Sequence, residues 1–483
     1  MAELSEPDVL DSRAAGGLVM RGGLARAAGY VAGMLLSLLS FALITRHLGV
    51  ARFGDYQTAL SVITVISAVT DGGMATLAVR EYATLQGDAR DRLMANLLGA
   101  RLGLTGAGIA AAIGFALAAG FDGALLAGTA LAGVGIGFNV VQSMLAVPLA
   151  AHLELTTQTL LELGRQAVLV VVLVLCVLAG AGVLPLLAAT IPAGIFGMVA
   201  TAMLVRGRIP LRPALQADEW QRLLRLAVPV ALTLATGTLY VYLAQVVTDL
   251  VASERESGLF AASFRVFLVV AAVPGLVVSA GFPVLTRAAR DDQARLAYAL
   301  DRLFATMVVV GGLFGLALAV GAPVALDVVA GAGYHDAIPA LQRQAWALLA
   351  SFVLAPAAFA LLSLRLHKEI AAANLLALAT SATLTLLLAP SHGATGAATA
   401  TVVGETALML ATFGLLVHAR SDLRPRLDVV VKVALGIGLG IAAASLSGLP
   451  ALPATVLAVL AYGVVMLVTR AIPQELRDLL PRR

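Results

Sequence analysis

Ionisable side chains interrupt several long apolar stretches of this sequence, and these are the residues whose types could do chemistry. The set is Asp71, Arg101, Glu162, Arg165, Asp249, Arg265 and Glu405. An ionised group near the centre of a bilayer costs about 2.5 to 3.5 kcal/mol, so each should face protein or water. A guanidinium binds phosphate through paired hydrogen bonds, whereas a carboxylate can take up a proton or a sodium ion. The set predicts a polar site within a membrane.

The arginines have both a functional and a structural interpretation. Arg265 lies well inside a predicted membrane span, where it could contact an anion or instead pair with Asp249 or Glu405. Arg101 and Arg165 lie near predicted span ends, from which a long side chain can reach the lipid headgroups.

The carboxylates leave similar alternatives open. Asp71 could act in a moving helix or satisfy the ends of neighbouring helices, and Glu405 could carry a proton or sodium ion or make a structural hydrogen bond. Glu162 could pair with Arg165, because residues three apart share a helix face. We predict that coupling or gating depends on Asp71, Gly72, Gly73, Glu405 and Asp249.

The stretch from Tyr56 to Arg80 shows why a moving element is expected. Its apolar run is about 24 residues long, enough for a helix to cross roughly 30 Å of hydrocarbon. Asp71 interrupts the run and is followed at once by Gly72 and Gly73. Because glycine weakens a helix, this arrangement predicts a weak point within a spanning helix.

Composition and motifs define the class of protein. Hydrophobic residues make up 60% of the chain and charged residues 12%, against about 25% charged in a soluble domain. We predict an all-α, polytopic integral membrane protein. The net charge of +4 does not indicate nucleic-acid binding. The sequence has no GxSxG, HExxH or Walker A motif, and Cys176 is its one cysteine, so we predict no enzyme activity, no metal site and no cofactor apart from a coupling ion, H+ or Na+.

Apolar runs of about 18 residues or more predict about fourteen membrane-spanning helices, in two pseudo-symmetric six-helix lobes plus two C-terminal helices. The spans lie near 27–45, 56–79, 96–118, 124–149, 160–180, 183–205, 226–250, 259–284, 303–325, 344–364, 370–389, 393–418, 429–448 and 451–469. The domains are a cytoplasmic tail (1–20), the first lobe (21–205), a cytoplasmic interfacial linker (206–225), the second lobe (226–420), and the last two helices with the C-terminal tail (421–483).

Basic residues set the orientation, because Lys and Arg near span ends are retained in the cytoplasm. Most of the 32 Lys and Arg residues fall on one side of the predicted spans, and the other side holds only Arg46, Arg52, Arg255 and Arg343. Both termini are therefore predicted to be cytoplasmic. In the linker, the acidic residues before Trp220 indicate either a capped amphipathic helix at the interface or a simple tether.

A short internal match supports two related halves. ARFGDYQTA precedes the second span and ESGLFAASF the eighth, with Gly54 matching Gly258 and Tyr56 matching Phe260. Parallel repeats of this kind are typical of transporters whose two lobes move about a central site.

Several segments, in order between about residues 20 and 420, resemble the polysaccharide (oligosaccharide-lipid) flippases of the MOP superfamily, relatives of MATE exporters and lipid II flippases. They are RHLGVARFGDYQTAL, TDGGMATLAVREYA, GLFAASFRVF, GFPVLTRAAR, AGAGYHDAIPALQRQAWAL and NLLALAT with LLLAPSHGATGAATATVVGE. The resemblance implies two six-helix lobes around a central cavity. It also implies translocation of a polyprenyl-(pyro)phosphate-linked glycan across the bacterial cytoplasmic membrane by alternating access.

The resemblance also implies roles for individual residues. Arg265 matches a basic position of the family and Asp71 an acidic one, whereas Gly72 stands where a bulkier apolar residue is usual. A diphosphate headgroup needs cations, for which the candidates are Arg26, Arg101, Arg165 and Arg265. For the glycan the candidates are Gln57, Asn139, Gln142, Gln245 and Asn374. The expected partners are the lipid-linked glycan, membrane lipids, a polysaccharide polymerase and other assembly proteins.

Three alternative functions remain. A MATE-like, cation-coupled exporter of organic cations would need acidic residues in its cavity and few arginines. A membrane glycan polymerase would need a large loop for its catalytic groups, and the predicted loops are short. A scaffold protein would give the intramembrane charges no purpose.

Overall fold

The computed structural model describes residues 13–71, 73–152, 154–210, 212–278, 285, 293–425 and 427–471. Within these ranges all regular structure is helical, apart from one isolated bridge between Arg206 and Ile209. The all-α prediction is therefore confirmed. Long apolar segments dictate this outcome, because only a helix satisfies every backbone group of a single segment within hydrocarbon.

The helices follow the predicted spans closely. In the first part of the chain they are α1 (Arg13–Leu48), α2 (Val50–Asp71), α3 (Met74–Thr84), α4 (Gly87–Ala118), α5 (Gly123–Leu145), α6 (Val147–Ala151), α7 (Leu155–Leu178), α8 (Val183–Ala188) and α9 (Thr190–Leu204). They continue with α10 (Ala217–Val251), α11 (Glu254–Ala271), α12 (Gln293–Val329), α13 (Ile338–Ser363), α14 (His367–Ala419), α15 (Asp428–Ser447) and α16 (Ala451–Val468).

Eleven helical segments of the described chain are long and apolar enough to cross a membrane. One of them, α14, has 53 residues, and a straight helix of that length would be about 80 Å long, far more than a bilayer requires. Gly393 interrupts it with a φ of 53°, so that the helix divides between the predicted spans 370–389 and 393–418. The prediction of about fourteen spans therefore agrees with the architecture only approximately.

The chain divides into two compact units, each described here on its own. The first contains the described residues up to Ile44 together with Val69–Ala231, and the second contains Thr45–Ala68 together with the described residues from Leu232 onward. The first part of α2 thus belongs with helices that follow it much later in the chain. The predicted lobes, 21–205 and 226–420, are defined by internal symmetry, whereas the two units are defined by compactness. The lobes therefore remain a prediction.

Each unit has an apolar core. In the first unit Met74, Leu97 and Met144 pack together with almost no exposed surface. In the second, Phe304 and Leu316 of α12 pack against Tyr462 of α16, whose hydroxyl donates to the carbonyl of Val309 at 2.7 Å. The two C-terminal helices are therefore built into the second unit.

Contacts between loops fit the predicted topology. Within the second unit, Arg46 Nη2 donates to the carbonyl of Val328 at 2.8 Å, and Glu256 Oε2 accepts from the backbone N–H of Ala394 at 2.7 Å. Arg46 lies between predicted spans 1 and 2, and Val328 between spans 9 and 10. Glu256 lies between spans 7 and 8, and Ala394 where span 11 gives way to span 12. The connections between these pairs of spans are all predicted to face outward. Their contacts are those expected of loops on one side of a membrane.

The start of α10 differs from the expected separate interfacial helix. The helix begins at Ala217 and continues without a break to Val251, because no glycine or proline between Ala217 and Val228 ends it. The hydrogen bond from Arg222 holds the pKa of Glu219 below its ordinary value. Trp220 lies against Gly103 of α4, which places the first turns of α10 on the first unit.

The N-terminus of α5 provides a test of the local structure. Asp122 caps this helix, since its Oδ1 accepts from the backbone N–H of Leu125 at 2.7 Å. Asp122→Ala should therefore destabilise the protein by about 0.5 to 2 kcal/mol, measured by thermal unfolding in detergent. Asp122→Asn keeps the cap and serves as the control; equal losses in both variants would contradict this explanation.

Candidate intramembrane binding and coupling sites

A crossing of α2 with α11 organises the first candidate site. An added Cβ on Gly258 would lie 1.9 Å from the carbonyl oxygen of Val50, and one on Gly54 would lie 3.0 Å from the backbone nitrogen of Gly258. No side chain fits at this contact, so glycine is required for the close approach. Val50, Gly54 and Thr58 recur every four residues and share the face of α2 that meets α11.

Next to this crossing lies a group of buried polar side chains. Ser257 Oγ donates to Asp249 Oδ1 at 2.8 Å, and Gln245 Nε2 donates to Ser257 Oγ at 3.0 Å. The hydroxyl of Thr58 lies beside the same carboxylate and can donate to it. We call Thr58, Gln245, Asp249 and Ser257 the Asp249 cluster. It brings together two predicted residues, Gln245 and Asp249, with two that the sequence analysis did not select.

Arg265 lies two turns farther along α11. Its side chain is half-buried and is near enough to the buried Tyr56 of α2 to act on it electrostatically. Gln57, the neighbour of Tyr56, is also half-buried, and its Nε2 lies 3.4 Å from Ser61 Oγ. The structure therefore places two predicted substrate residues, Arg265 and Gln57, on the adjacent helices α11 and α2.

A second carboxylate site joins α10, α13 and α14. Tyr240 donates its hydroxyl to Glu405 Oε1 at 2.9 Å, and Ser351 Oγ lies 2.8 Å from Glu405 Oε2. Asn374 lies on the neighbouring part of α14, with its amide nitrogen 3.6 Å from where a Cβ of Gly237 would be. We call Tyr240, Ser351 and Glu405 the Glu405 cluster. Neutral hydroxyl groups contact both oxygens of this carboxylate.

Substitution of Glu405 tests how this cluster is held. In Glu405→Ala the buried Tyr240 hydroxyl loses its acceptor, which costs about 1 to 3 kcal/mol. Glu405→Gln should cost less, because its amide oxygen can still accept from Tyr240 and its amide nitrogen can donate to Ser351. Ser351 Oγ also lies 3.1 Å from the carbonyl of Ala347, to which it can direct its own proton. Thermal unfolding in detergent measures both variants; a glutamine variant as unstable as the alanine variant would refute these assignments.

In the first unit, predicted substrate residues meet around α9. An added Cβ on Gly197 would lie 2.2 Å from Gln142 Oε1 and 3.2 Å from Arg165 Cδ, so this glycine makes room for both side chains. Arg165 Nε donates to Glu162 Oε2 at 3.1 Å, as their spacing allows. Asn139 is half-buried one turn before Gln142. Gln142 Oε1 is buried and has no hydrogen-bond partner among the described residues.

Arg101 is buried at the end of α2. Its side chain is 4% exposed, and Nη1 donates to the carbonyl of Thr70 at 3.3 Å. Helix α2 ends at Asp71 and α3 begins at Met74, with Gly73 at a φ of 65° between them. The guanidinium therefore supports the C-terminal end of an interrupted helix, where a cation is favourable.

Some predicted residues cannot be placed. The side chains of Arg26 and Asp71, and the whole of Gly72, lie outside the described residues. Among the residues that the structure does describe, no group of three or more His, Cys, Asp or Glu side chains could hold a metal ion.

The sequence alone did not single out the hydroxyl residues of the two clusters as functional. Thr58, Ser257, Tyr240 and Ser351 resemble many other polar residues in this chain, and most Ser and Thr in its helices bond to their own backbone, as Thr64 does to Leu60. Ser257 and Thr58 had a signal, since both lie in the repeated segments that contain Gly258 and Gly54.

The long apolar helices define the fold of a multi-pass membrane protein, and comparisons with known proteins identify the family. Residues 43–339 match the sequence profile of the polysaccharide biosynthesis protein family, and the chain belongs to it. No curated protein sequence matches the chain.

Solved structures agree on the fold. A lipid II flippase MurJ in an inward closed conformation is similar with a TM-score of 0.79 and 14% identity, over 95% of this chain and 100% of that one. A multidrug resistance MATE family transporter of the MOP superfamily, inward-facing, has a TM-score of 0.66 and 15% identity, over 83% and 98%. A MOP superfamily transporter from Pyrococcus furiosus has a TM-score of 0.60 and 15% identity, over 84% and 96%. The prediction that the chain shares its fold with lipid II flippases and MATE transporters is confirmed.

Proposed function

We propose that this protein is a flippase that moves a polyprenyl-(pyro)phosphate-linked oligosaccharide from the inner to the outer leaflet of the bacterial cytoplasmic membrane by alternating access. The observation that carries the proposal is the family match over residues 43–339, which connects the transporter fold with polysaccharide biosynthesis. The similar structure described as a lipid II flippase handles, by its name, a lipid cargo. We infer that this protein also moves a lipid-linked cargo.

The chemistry of the cargo supports this assignment. A diphosphate carries negative charge that must be balanced away from bulk water, and a guanidinium does this with paired hydrogen bonds. Arg265 in the second unit and Arg165 in the first are half-buried within membrane helices. A polar amide, that of Gln142, lies close to Arg165 beside Gly197. The lipid tail needs no polar contact, because it can remain in the bilayer.

The cellular setting follows from the same proposal. Both termini lie in the cytoplasm, since the basic residues concentrate on that side. The protein performs no covalent chemistry and needs no cofactor, and polysaccharide polymerase and other assembly proteins act on its product. A coupling ion, H+ or Na+, supplies the energy through Asp249 or Glu405.

A second candidate is a MATE-like exporter of organic cations. The observation in its favour is that both clusters of the second unit contain a carboxylate that no described arginine or lysine side chain neutralises in a salt bridge within 4.0 Å. Such a carboxylate can bind a cation directly. This function predicts efflux of cationic dyes and no effect on glycan export.

Depletion of the protein in its host tests the proposal. We expect lipid-linked glycan to accumulate on the cytoplasmic side of the membrane, and purified protein in liposomes to move a polyprenyl-diphosphate-linked sugar between leaflets. Dye efflux with unchanged glycan export would favour the exporter instead, and no change in either would overturn both functions.

A further inference from the structure

We propose that the first unit carries a binding site for an anionic glycerophospholipid of the leaflet that faces the linker, which is the predicted cytoplasmic leaflet. One acyl chain of this lipid lies in an apolar groove between α4, α5 and α9, here called the α4–α5 groove, and its phosphate lies at Arg206 and Arg212. The site goes beyond the proposed function, since it needs no lipid-linked glycan.

The lining of the groove suits a hydrocarbon chain. The groove has a volume of about 540 Å³, within the range of about 300 to 1,000 Å³ that is typical of ligand pockets. Its lining side chains are apolar except for that of Thr105. They recur every three or four residues from Leu98 to Ile109 on α4 and from Val134 to Leu145 on α5, so each helix presents one face to the groove. A sugar or a charged headgroup would find almost no polar partner on these walls.

Two glycines keep the groove open. A Cβ on Gly106 would have no atom of the described residues within 4 Å, and one on Gly137 would lie 3.5 Å from Thr105 Cγ2, an ordinary contact distance. A methyl group therefore fits at both positions, and it would favour the helices, because glycine is a poor helix former. Gly135 differs, since its Cβ would lie 2.0 Å from Thr190 Oγ1 and its absence is needed for packing. The space at Gly106 serves no neighbour within the described chain and is available to a molecule from outside it.

The length and depth of the groove select an acyl chain of one leaflet. Eleven residues separate Leu98 from Ile109, a rise of about 16 Å along the helix, or roughly half of a 30 Å hydrocarbon core. One end of the groove lies at Pro213 of the linker, where the backbone N–H of Ala214 donates to the carbonyl of Ala95 at 2.8 Å. Ala95 stands at the start of the predicted span 96–118, so this end lies at the membrane surface. An acyl chain covers the same distance from its headgroup to the bilayer centre, whereas a polyprenyl tail is longer than the groove.

Two arginines stand at the linker end of the groove. Arg212 directly precedes Pro213, and Arg206 follows Ala202 by four residues. Both Pro213 and Ala202 line the groove. A headgroup whose acyl chain occupies the groove would therefore lie near both guanidinium groups.

The charge at this end selects an anionic headgroup. The linker, residues 206–225, contains five arginines and two acidic residues. Arg208 is paired with Glu154. Arg206 and Arg212 are exposed, and neither has a salt-bridge partner within 4.0 Å among the described residues. Arginines at a membrane surface attract anionic lipids, and a guanidinium binds phosphate oxygens in pairs.

Photolabelling of the purified full-length protein in phosphatidylcholine bilayers tests the site. The probe is a phosphatidylglycerol with a diazirine on one acyl chain, and the comparison is the same chain on phosphatidylcholine. We expect the phosphatidylglycerol probe to label the groove residues of α4 and α5 about tenfold more than the phosphatidylcholine probe, because each arginine at an anionic surface contributes roughly a fivefold preference.

A leucine in the groove should exclude the chain. Gly106→Leu should abolish the labelling by phosphatidylglycerol. Gly114→Leu is the matched control on the same helix, because its Cβ also has no atom of the described residues within 4 Å but it does not line the groove. Both variants should unfold in detergent at or above the wild-type temperature, since leucine favours a helix over glycine, so that a loss of labelling is not a loss of fold.

A pair of charge variants tests the headgroup separately. Arg206→Gln combined with Arg212→Gln should remove the preference for phosphatidylglycerol. Arg365→Gln combined with Lys368→Gln removes the same charge at exposed positions of the second unit and should preserve it.

Four results would overturn the proposal. Equal labelling by the two probes in the wild type would indicate bulk lipid only, and unchanged labelling in Gly106→Leu would place the lipid elsewhere. An unchanged preference after Arg206→Gln with Arg212→Gln would remove the headgroup site. Labelling of the groove by a diazirine-bearing polyprenyl phosphate that phosphatidylglycerol does not displace would assign the groove to the tail of the cargo. A protein that shows the expected labelling but moves no glycan would refute only the proposed function.

Discussion

Arg265→Ala is expected to abolish movement of the lipid-linked glycan while leaving the amount of protein in the membrane unchanged. Arg265 is half-buried on α11 near Tyr56, and under the proposed function its guanidinium binds the phosphate of the cargo. Hydrogen bonds to charged groups contribute about 1.5 to 3 kcal/mol each, so loss of a two-bond contact should lower transport about 100-fold or more. Transport in liposomes and immunoblotting of membranes measure the two quantities.

Two further variants make this test specific. Arg265→Lys keeps the charge but loses the planar pair of donors, and should retain partial activity. Arg255→Ala is the control on the same helix, because Arg255 pairs with Asp336 at an exposed position. It should transport normally. Full activity in Arg265→Ala, or equal losses in Arg265→Ala and Arg255→Ala, would remove Arg265 from the anion site.

The helices and their interruptions could be predicted because they depend on local features of the sequence. The lengths of the apolar runs set the spans, and the glycines at 72–73 marked a weak point in a helix. The structure shows the break beside Gly73 and the kink at Gly393. Both breaks follow from the positive φ that glycine alone adopts without strain.

The partners of the intramembrane charges could not be predicted, since they come from distant parts of the chain. Tyr240 and Glu405 are 165 residues apart, and nothing near either one indicates the other. Pairing of Arg265 with Glu405 was an open alternative, but the structure surrounds that carboxylate with the hydroxyls of Tyr240 and Ser351. The contact of Arg101 with the carbonyl of Thr70 likewise comes from a part of the chain 31 residues away, and its predicted role at the substrate or the headgroups remains a prediction.

The two equivalent glycines of the internal repeat lie in contact with each other. Gly54 and Gly258 were matched as equivalent positions of two halves, and the structure places them against each other, with the Cβ position of Gly54 3.3 Å from Gly258 Cα. Equivalent small residues at one crossing let both helices approach with the same face. That approach brings Thr58 beside Asp249, so the repeat and the buried polar cluster depend on one contact.

Gly258→Ala should therefore destabilise the protein strongly. Its Cβ would lie 1.9 Å from the carbonyl oxygen of Val50, and a backbone atom cannot turn aside as a flexible side chain can. Helix α2 must move away from α11, which we expect to cost about 1 to 3 kcal/mol through overpacking. The shift should also separate Thr58 from Asp249. Thermal unfolding in detergent measures the loss of stability.

Two other glycine variants give a graded comparison. Gly54→Ala should be milder, because its Cβ would lie 2.9 Å from the carbonyl oxygen of Glu254. Gly275→Ala, in the helical turn after α11, has no neighbouring atom of the described residues within 4 Å of its Cβ and should be neutral or slightly stabilising. The expected order of stability is Gly275→Ala, then Gly54→Ala, then Gly258→Ala. If Gly258→Ala were as stable as Gly275→Ala, the two helices would not be in close contact in the folded protein, and the polar cluster beside them would lose its structural basis.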